Sequence, residues 1–164
     1  MRRIIGITLT GLALAGSLAA CSSSSDDPGS SSSPSEASSS SPEAAASADL
    51  ATAETSLGTI VVDGRGMTAY YFDKDTADSG TSACTGDCAA SWPAIEATST
   101  TPTVDGVTGT VGTITGTDGK PQLTIDGRPL YTYAGDAKAG DVTGQGVGQV
   151  WYVVGPDGTE ITGS

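Results

Sequence analysis

The chain has 164 residues, 19 of them acidic and 7 basic, for a net charge of −12 at neutral pH, and it contains no histidine. An anion of this kind repels nucleic acid and anionic lipid headgroups. The missing histidine removes the commonest neutral-pH general base and metal ligand, which excludes Ser-His-Asp and Cys-His hydrolases, His-ligated zinc enzymes and Cys-x-x-Cys-His haem attachment.

The chain opens with Arg2-Arg3 and an apolar run from residue 4 to residue 18. That layout predicts a secretory signal peptide over residues 1–20. The run closes on Leu18-Ala19-Ala20-Cys21, which resembles a bacterial lipobox. By that resemblance Cys21 receives a diacylglycerol and becomes the mature N-terminus. Each buried acyl CH₂ contributes about 0.8 kcal/mol, and more than one chain makes the anchorage stable. The expected location is therefore the extracytoplasmic face of a bacterial cell membrane, with the membrane itself as a partner through lipid. Loss of Arg2 and Arg3 with the leader leaves five basic residues against 19 acidic.

Residues 22–56 are mostly Ser, Ala, Pro and acidic residues. Such a mixture buries too little apolar surface to offset chain entropy, so residues 21–56 read as a lipidated cysteine followed by a disordered tether. Its root-mean-square span is about 35 Å, enough to lift a small domain into the cell-wall layer.

The folded part is placed at residues 57–164, large enough for a real but modest core. Self-comparison is the informative step here. Val62-Asp63-Gly64-Arg65, followed by Tyr70-Tyr71-Phe72-Asp73-Lys74-Asp75, returns as Ile125-Asp126-Gly127-Arg128 followed by Tyr131-Thr132-Tyr133-Ala134-Gly135-Asp136. A tryptophan closes each copy, at Trp92 and Trp151. Asp-Gly between β-prone runs is a hairpin signal, because glycine tolerates the positive φ of a tight turn. Copy one carries two extra residues between its Arg and Tyr, which predicts a longer loop or bulge. Further strands are expected near 57–62, 111–115, 150–154 and 159–162, and only residues 84–92 have room for a helical turn before Pro93. Gly144-Gln145-Gly146-Val147-Gly148 precedes no helical pattern, so it is not a phosphate cradle. The sum is an all-β domain of two tandem hairpin-based repeats, about 57–97 and 111–162, its sandwich, barrel or propeller-like arrangement undecided.

With Cys21 assigned to lipid, Cys84 and Cys88 remain as an even pair in an oxidising compartment, close enough to bridge if the chain turns. The alternative is a redox-active dithiol, against which stand the Cys-x-x-x-Cys spacing and the lack of strand-helix alternation. Tyr70 and Phe72 share one strand face, as do Tyr131 and Tyr133. With Asp75 and Asp136 just beyond the strand ends, and Trp92 and Trp151 following, these rings either form the core or line a ligand groove; the scarcity of other large apolar residues favours core. Each Asp then caps the loop that follows it by accepting backbone N–H bonds. Asp73, Asp75 and Asp78 place three carboxylates within six residues, a weak calcium candidate whose spacing departs from the D-x-D-x-D-G pattern and which lacks the closing Glu. A solvated acidic turn is the reading preferred, and no cofactor is expected.

The combination Tyr70-x-Phe72-x-x-Asp75, Cys84 and Cys88, Trp92-Pro93, Tyr131-x-Tyr133-x-x-Asp136 and Trp151 resembles a bacterial family described as the secreted repeat of unknown function. The resemblance spans residues 57–161. Copy one departs from the usual Leu-Tyr in having Ala69 before Tyr70, and copy two lacks the cysteine pair. Membership implies an exported two-repeat protein and brings no activity with it. The expectation is a non-enzymatic surface lipoprotein that binds a wall component or supports the envelope; the alternative is an extracytoplasmic redox or electron-transfer accessory using Cys84, Cys88 and the clustered tyrosines.

Overall fold

The structure is a computed structural model and describes residues 48–163; the leader, Cys21 and the tether up to residue 47 lie outside the described residues. Among the described residues eight strands run in chain order: β1 Leu50–Thr55, β2 Gly58–Asp63, β3 Tyr70–Phe72, β4 Val111–Thr115, β5 Pro121–Ile125, β6 Arg128–Pro129, β7 Trp151–Val154 and β8 Glu160–Ile161. One short helix, α1 Asp87–Ser91, sits ahead of Trp92, and a single 3₁₀ turn covers Val147–Gln149. The strands form three small antiparallel sheets, β1-β2, β3-β7-β8 and β4-β5-β6, and no closed barrel. No helix among the described residues is long and apolar enough to cross a membrane.

The domain begins earlier than the composition implied. β1 lies inside the segment read as tether and pairs with β2 over its whole length, from Leu50↔Asp63 to Thr55↔Gly58. A boundary at residue 57 would cut this hairpin at its turn. Leu-Ala-Thr-Ala-Glu-Thr looks like tether because its alanines are small, yet Leu50 and Ala51 are buried, one in each of two apolar clusters. Asp49 clamps the entrance. Its carboxylate accepts from the Thr98 N–H (2.9 Å) and hydroxyl (2.5 Å) and from the Thr103 N–H (2.8 Å) and hydroxyl (3.1 Å). Burial alone would raise this carboxyl, but the Thr98 and Thr103 bonds outweigh it and hold the group down at about 2.

The central strands separate those two clusters and are covered on both faces. Ile60 and Val62 of β2, with Tyr70 and Phe72 of β3, enter one cluster; Val61 and Tyr71 enter the other. This explains the unbroken Ile60-Val61-Val62 and Tyr70-Tyr71-Phe72 runs, since a strand buried on both faces shows no alternation. Tyr71 satisfies its phenol on the Ile125 carbonyl at 3.0 Å, and the Arg128 guanidinium lies 4.1 Å from the centre of its ring.

The two copies relate as an exchanged pair across an approximate two-fold axis. That axis passes between Tyr70 and Tyr131, each donating its N–H to the other's carbonyl, at 2.8 and 3.1 Å. The copy-one motif strand β3 then pairs with the copy-two tryptophan strand β7, Phe72 opposite Trp151. Reciprocally, the copy-two motif segment pairs with the copy-one tryptophan segment, Thr132 N–H to the Pro93 carbonyl and Ala134 N–H to the Ser91 carbonyl, both 2.9 Å. Each motif segment thus pairs with the tryptophan segment of the other repeat.

Two outcomes follow. A chain cleaved at the exposed Asp105–Gly106 peptide gives fragments that lack near-ultraviolet tryptophan circular dichroism alone and regain it on mixing; a cooperative melt of residues 48–105 by themselves contradicts the exchange. In the intact domain, Asp49→Ala lowers stability by about 1–2 kcal/mol at pH 7. Because the folded value lies below the ordinary carboxylate range, this difference is present above about pH 4 and fades as pH falls towards 2, as urea melts across that range will register.

Candidate functional site

The motif residues converge on the approximate two-fold axis, where the exchange of strands becomes an exchange of side-chain bonds. The Tyr70 phenol donates to Asp136 Oδ2 at 2.8 Å, and the Tyr131 phenol donates to Asp75 Oδ2 at 2.6 Å. Each tyrosine of one repeat is thus tied to the aspartate of the other. The remaining oxygen of each aspartate holds its own loop: Asp75 Oδ1 accepts the Ala83 N–H (2.6 Å), and Asp136 Oδ1 accepts the N–H (2.9 Å) and hydroxyl (2.6 Å) of Thr143. Ser82 meets the Tyr131 phenol at 2.7 Å, while the Gly144 N–H reaches the Tyr70 phenol at 3.2 Å.

These bonds lie in a dry setting. Tyr70, Tyr131, Asp75 and Asp136 are all buried. Burial, reinforced by the Asp136 bond and charge, pushes the Tyr70 phenol well above its ordinary value; burial and the Asp75 bond do the same to Tyr131. Burial also raises the Asp75 carboxyl, against the pull of the Tyr131 phenol and the Ala83 N–H. Both phenols therefore remain proton donors throughout the physiological range.

Between the two bonds runs a column of four stacked rings. Tyr133 lies on Trp92 (centroids 4.2 Å apart), Trp92 on Trp151 (3.8 Å, planes within 2°), and Trp151 on Phe72 (4.2 Å). Tyr70 meets Trp92 edge-on and Tyr131 meets Trp151 edge-on, each at 5.3 Å. Like the carboxylates, the column alternates between repeats. Gly144 is required where it is, since a Cβ there would approach both Trp92 and Tyr70 to 2.8 Å. The rings thus form the core and do not line a groove; only Tyr133 is half-buried and the other rings are buried.

The disulfide Cys84–Cys88, with Cα atoms 5.2 Å apart, joins the same cluster, Cys84 being 1 % exposed. The acidic segment does not gather as a cation site. Asp75 turns inward to Tyr131, Asp73 lies 3.6 Å from Arg128, and Asp78 sits at positive φ with its N–H on the Gly127 carbonyl at 3.0 Å. Among the described residues no group of three or more acidic or cysteine side chains is arranged to hold a metal. The turn glycine of copy two has a second duty here: a Cβ on Gly127 would overlap the Asp78 carboxyl, so the acidic loop of copy one docks on the turn of copy two. Reciprocally, Thr68 of copy one donates to the Asp141 carbonyl of the copy-two loop at 2.6 Å.

Sequence spacing located the rings, aspartates and cysteines but not the phenols' partners, and it missed Ser82 and Thr143, whose hydroxyls carry no local signal. Tyr-x-aromatic-x-x-Asp invites a bond within one motif, whereas both bonds run between motifs, at separations of 66 and 56 residues. Double-mutant cycles separate the two arrangements. Tyr70→Phe with Asp136→Asn, and Tyr131→Phe with Asp75→Asn, are expected to couple by about 1–3 kcal/mol, whereas Tyr70 with Asp75 stays within about 0.5 kcal/mol of additivity. Stronger coupling within a motif than between motifs reverses the assignment.

The family description "secreted repeat of unknown function" matches this chain twice, over residues 51–96 and 112–155. The first match takes in β1 from its second residue, in agreement with the earlier start of the domain. No curated protein and no solved structure is detectably similar to the chain. The matched segments are the two exchanged units, and together they make up more than half of the sequence: the chain belongs to the family of secreted repeats of unknown function, whose members work outside the cytoplasm.

Proposed function

We propose that this protein is a lipid-anchored, non-enzymatic module of the bacterial cell surface, a rigid β domain held off the membrane by its tether to bind a partner or support the envelope. The observation that carries this reading is the closure of the motif cluster. Its hydroxyls and carboxylates are paired with one another and its rings with one another, and no buried side-chain polar atom among the described residues lacks a partner. Catalytic groups need an open approach and a perturbed proton inventory suited to transfer. Here burial raises the phenols so that they stay protonated far above neutral pH, and the carboxylates are spent on holding loops. Cys21, at the end of the apolar leader, supports attachment through acyl chains.

The disulfide is read in the same structural sense. Cys84 is almost fully covered and the bridge ties the loop between Asp75 and Trp92, where closing a short ring contributes roughly 2 kcal/mol. A redox accessory would need that bridge to open and close at a mild potential. Thiol counting distinguishes the two: the native protein is expected to show no free thiol after equilibration with glutathione buffers, and reversible reduction at those potentials transfers the function to electron transport. Cys21→Ala, followed by fractionation and mass measurement, is expected to lose the acyl mass and release the protein into the medium. Retention of the variant in the membrane fraction removes the anchor from this reading.

A further inference from the structure

The two copies differ at one edge, and the difference leaves a slot. In copy two the tryptophan strand β7 is flanked on one side by β3 and on the other by β8, with Val153 opposite Ile161 and Gly155 donating its N–H to the Thr159 carbonyl at 2.8 Å. The copy-one counterpart runs from Trp92 to Glu96. Ile95 stands where Val154 stands, since each donates its N–H to the carbonyl of the residue before a motif tyrosine, Leu130 at 3.0 Å and Ala69 at 3.1 Å. Ala94 and Glu96 therefore correspond to Val153 and Gly155. Among the described residues nothing corresponds to β8, because after Glu96 the chain runs on to the Asp49 clamp instead of folding back.

The N–H and C=O groups of Ala94 and Glu96 consequently point away from copy two and meet no protein hydrogen-bond partner among the described residues. They face an open cavity of about 470 Å³ that is also lined by Asp63 and Arg65. The charge at this edge is mismatched in the same way. In copy two, Arg128 is 22 % exposed and holds Glu160 of β8 at 2.5 Å. Its copy-one equivalent, Arg65, is 76 % exposed and among the described residues holds Asp63 of its own turn, at 2.8 Å.

We propose that the Ala94–Glu96 edge is a strand-addition site, taking an extended peptide segment of a partner protein antiparallel to it, with an acidic side chain on Arg65 as Glu160 sits on Arg128. Backbone ladder bonds supply affinity in this mode, and the Arg65 contact with the alternating side chains supplies selectivity. β8 is the internal template: a β-branched residue faces the strand position equivalent to Ala94, and a glutamate lies opposite the position equivalent to Ile95. Strand edges are sites where another chain can pair, and this short one is covered by no strand among the described residues. The inference rests on the reading of the domain as a binding module and names the site and partner class of that reading.

The test uses the full chain, labelled with ¹⁵N, and a synthetic peptide with the sequence of residues 157–163 as the probe. Saturable shifts of the Ala94 and Glu96 amide signals, with slowed hydrogen exchange at both, are expected. Arg65→Glu, an exposed change that leaves the core untouched, is expected to weaken binding at least tenfold, and a peptide with Lys in place of its Glu is expected to lose as much. Ala94→Pro removes one outward N–H and is expected to abolish the ladder; near-ultraviolet circular dichroism verifies its fold, and Arg65→Glu carries the test if that variant does not fold. Binding that survives these changes with shifts elsewhere overturns the assigned edge and leaves the binding module standing. Absence of any shift at millimolar peptide overturns the strand-addition site.

Discussion

Two phenol–carboxylate bonds crossing an approximate two-fold axis are the constraint on which the rest of the structure depends. Tyr70 to Asp136 and Tyr131 to Asp75 each link one repeat to the other, and each aspartate simultaneously anchors the loop that leads to its own tryptophan. Because all four groups are buried, losing any one partner leaves an uncompensated polar atom in a low-dielectric interior, which costs far more than an exposed bond gains. The alternating ring column adds apolar area and dispersion along the same axis. Specific pairing and ring stacking thus fix the same relative placement of the two repeats.

This arrangement explains how so small a domain with few large apolar residues holds a single shape. Among the described residues Leu50, Leu123 and Leu130 are the fully buried leucines, and most of the remaining fully buried volume belongs to Tyr70, Tyr71, Tyr131 and to Ile and Val. A tyrosine contributes a large apolar body but requires a partner for its hydroxyl. The fold meets that requirement each time, twice with a carboxylate and once with the Ile125 carbonyl. Exchange between copies also protects the interior: β3 and β7 complete one another, so neither presents an unpaired inner edge.

Duplication supplied the framework, and the departures from it carry the individuality of the protein. Copy one has the disulfide where copy two has a glycine-rich turn, with Gln145 donating to the Ile161 carbonyl and accepting the Val153 N–H at 2.8 Å. A covalent staple and a side-chain amide thus stiffen corresponding loops by different chemistry. Copy two closes its outer edge with β8, while copy one spends the following residues on the Asp49 clamp at the start of the domain. The same inherited edge is therefore internal to the fold in one copy and open in the other.

The sequence by itself determined the duplication, the Asp-Gly turns, the helical turn before Pro93 and the rings, aspartates and cysteines of the central cluster, because all of these are local signals of spacing and composition; it missed the 3₁₀ turn at Val147–Gln149 and the Ser82 and Thr143 hydroxyls, which no local pattern marks. It misplaced the start of the domain, since Leu50-Ala51-Thr52-Ala53 has the composition of the tether and reveals itself as a strand only beside β2. It placed Asp75 and Asp136 as caps of their own following loops, as the Ala83 and Thr143 N–H bonds show, but left the partners of the Tyr70 and Tyr131 phenols undetermined. Pairing between repeats is a long-range choice: two similar motifs present the same donors and acceptors, so spacing is equally compatible with bonds within each copy and bonds between copies. Only the tertiary structure decided that question, through the antiparallel contact of Tyr70 with Tyr131, which turns each phenol towards the opposite loop.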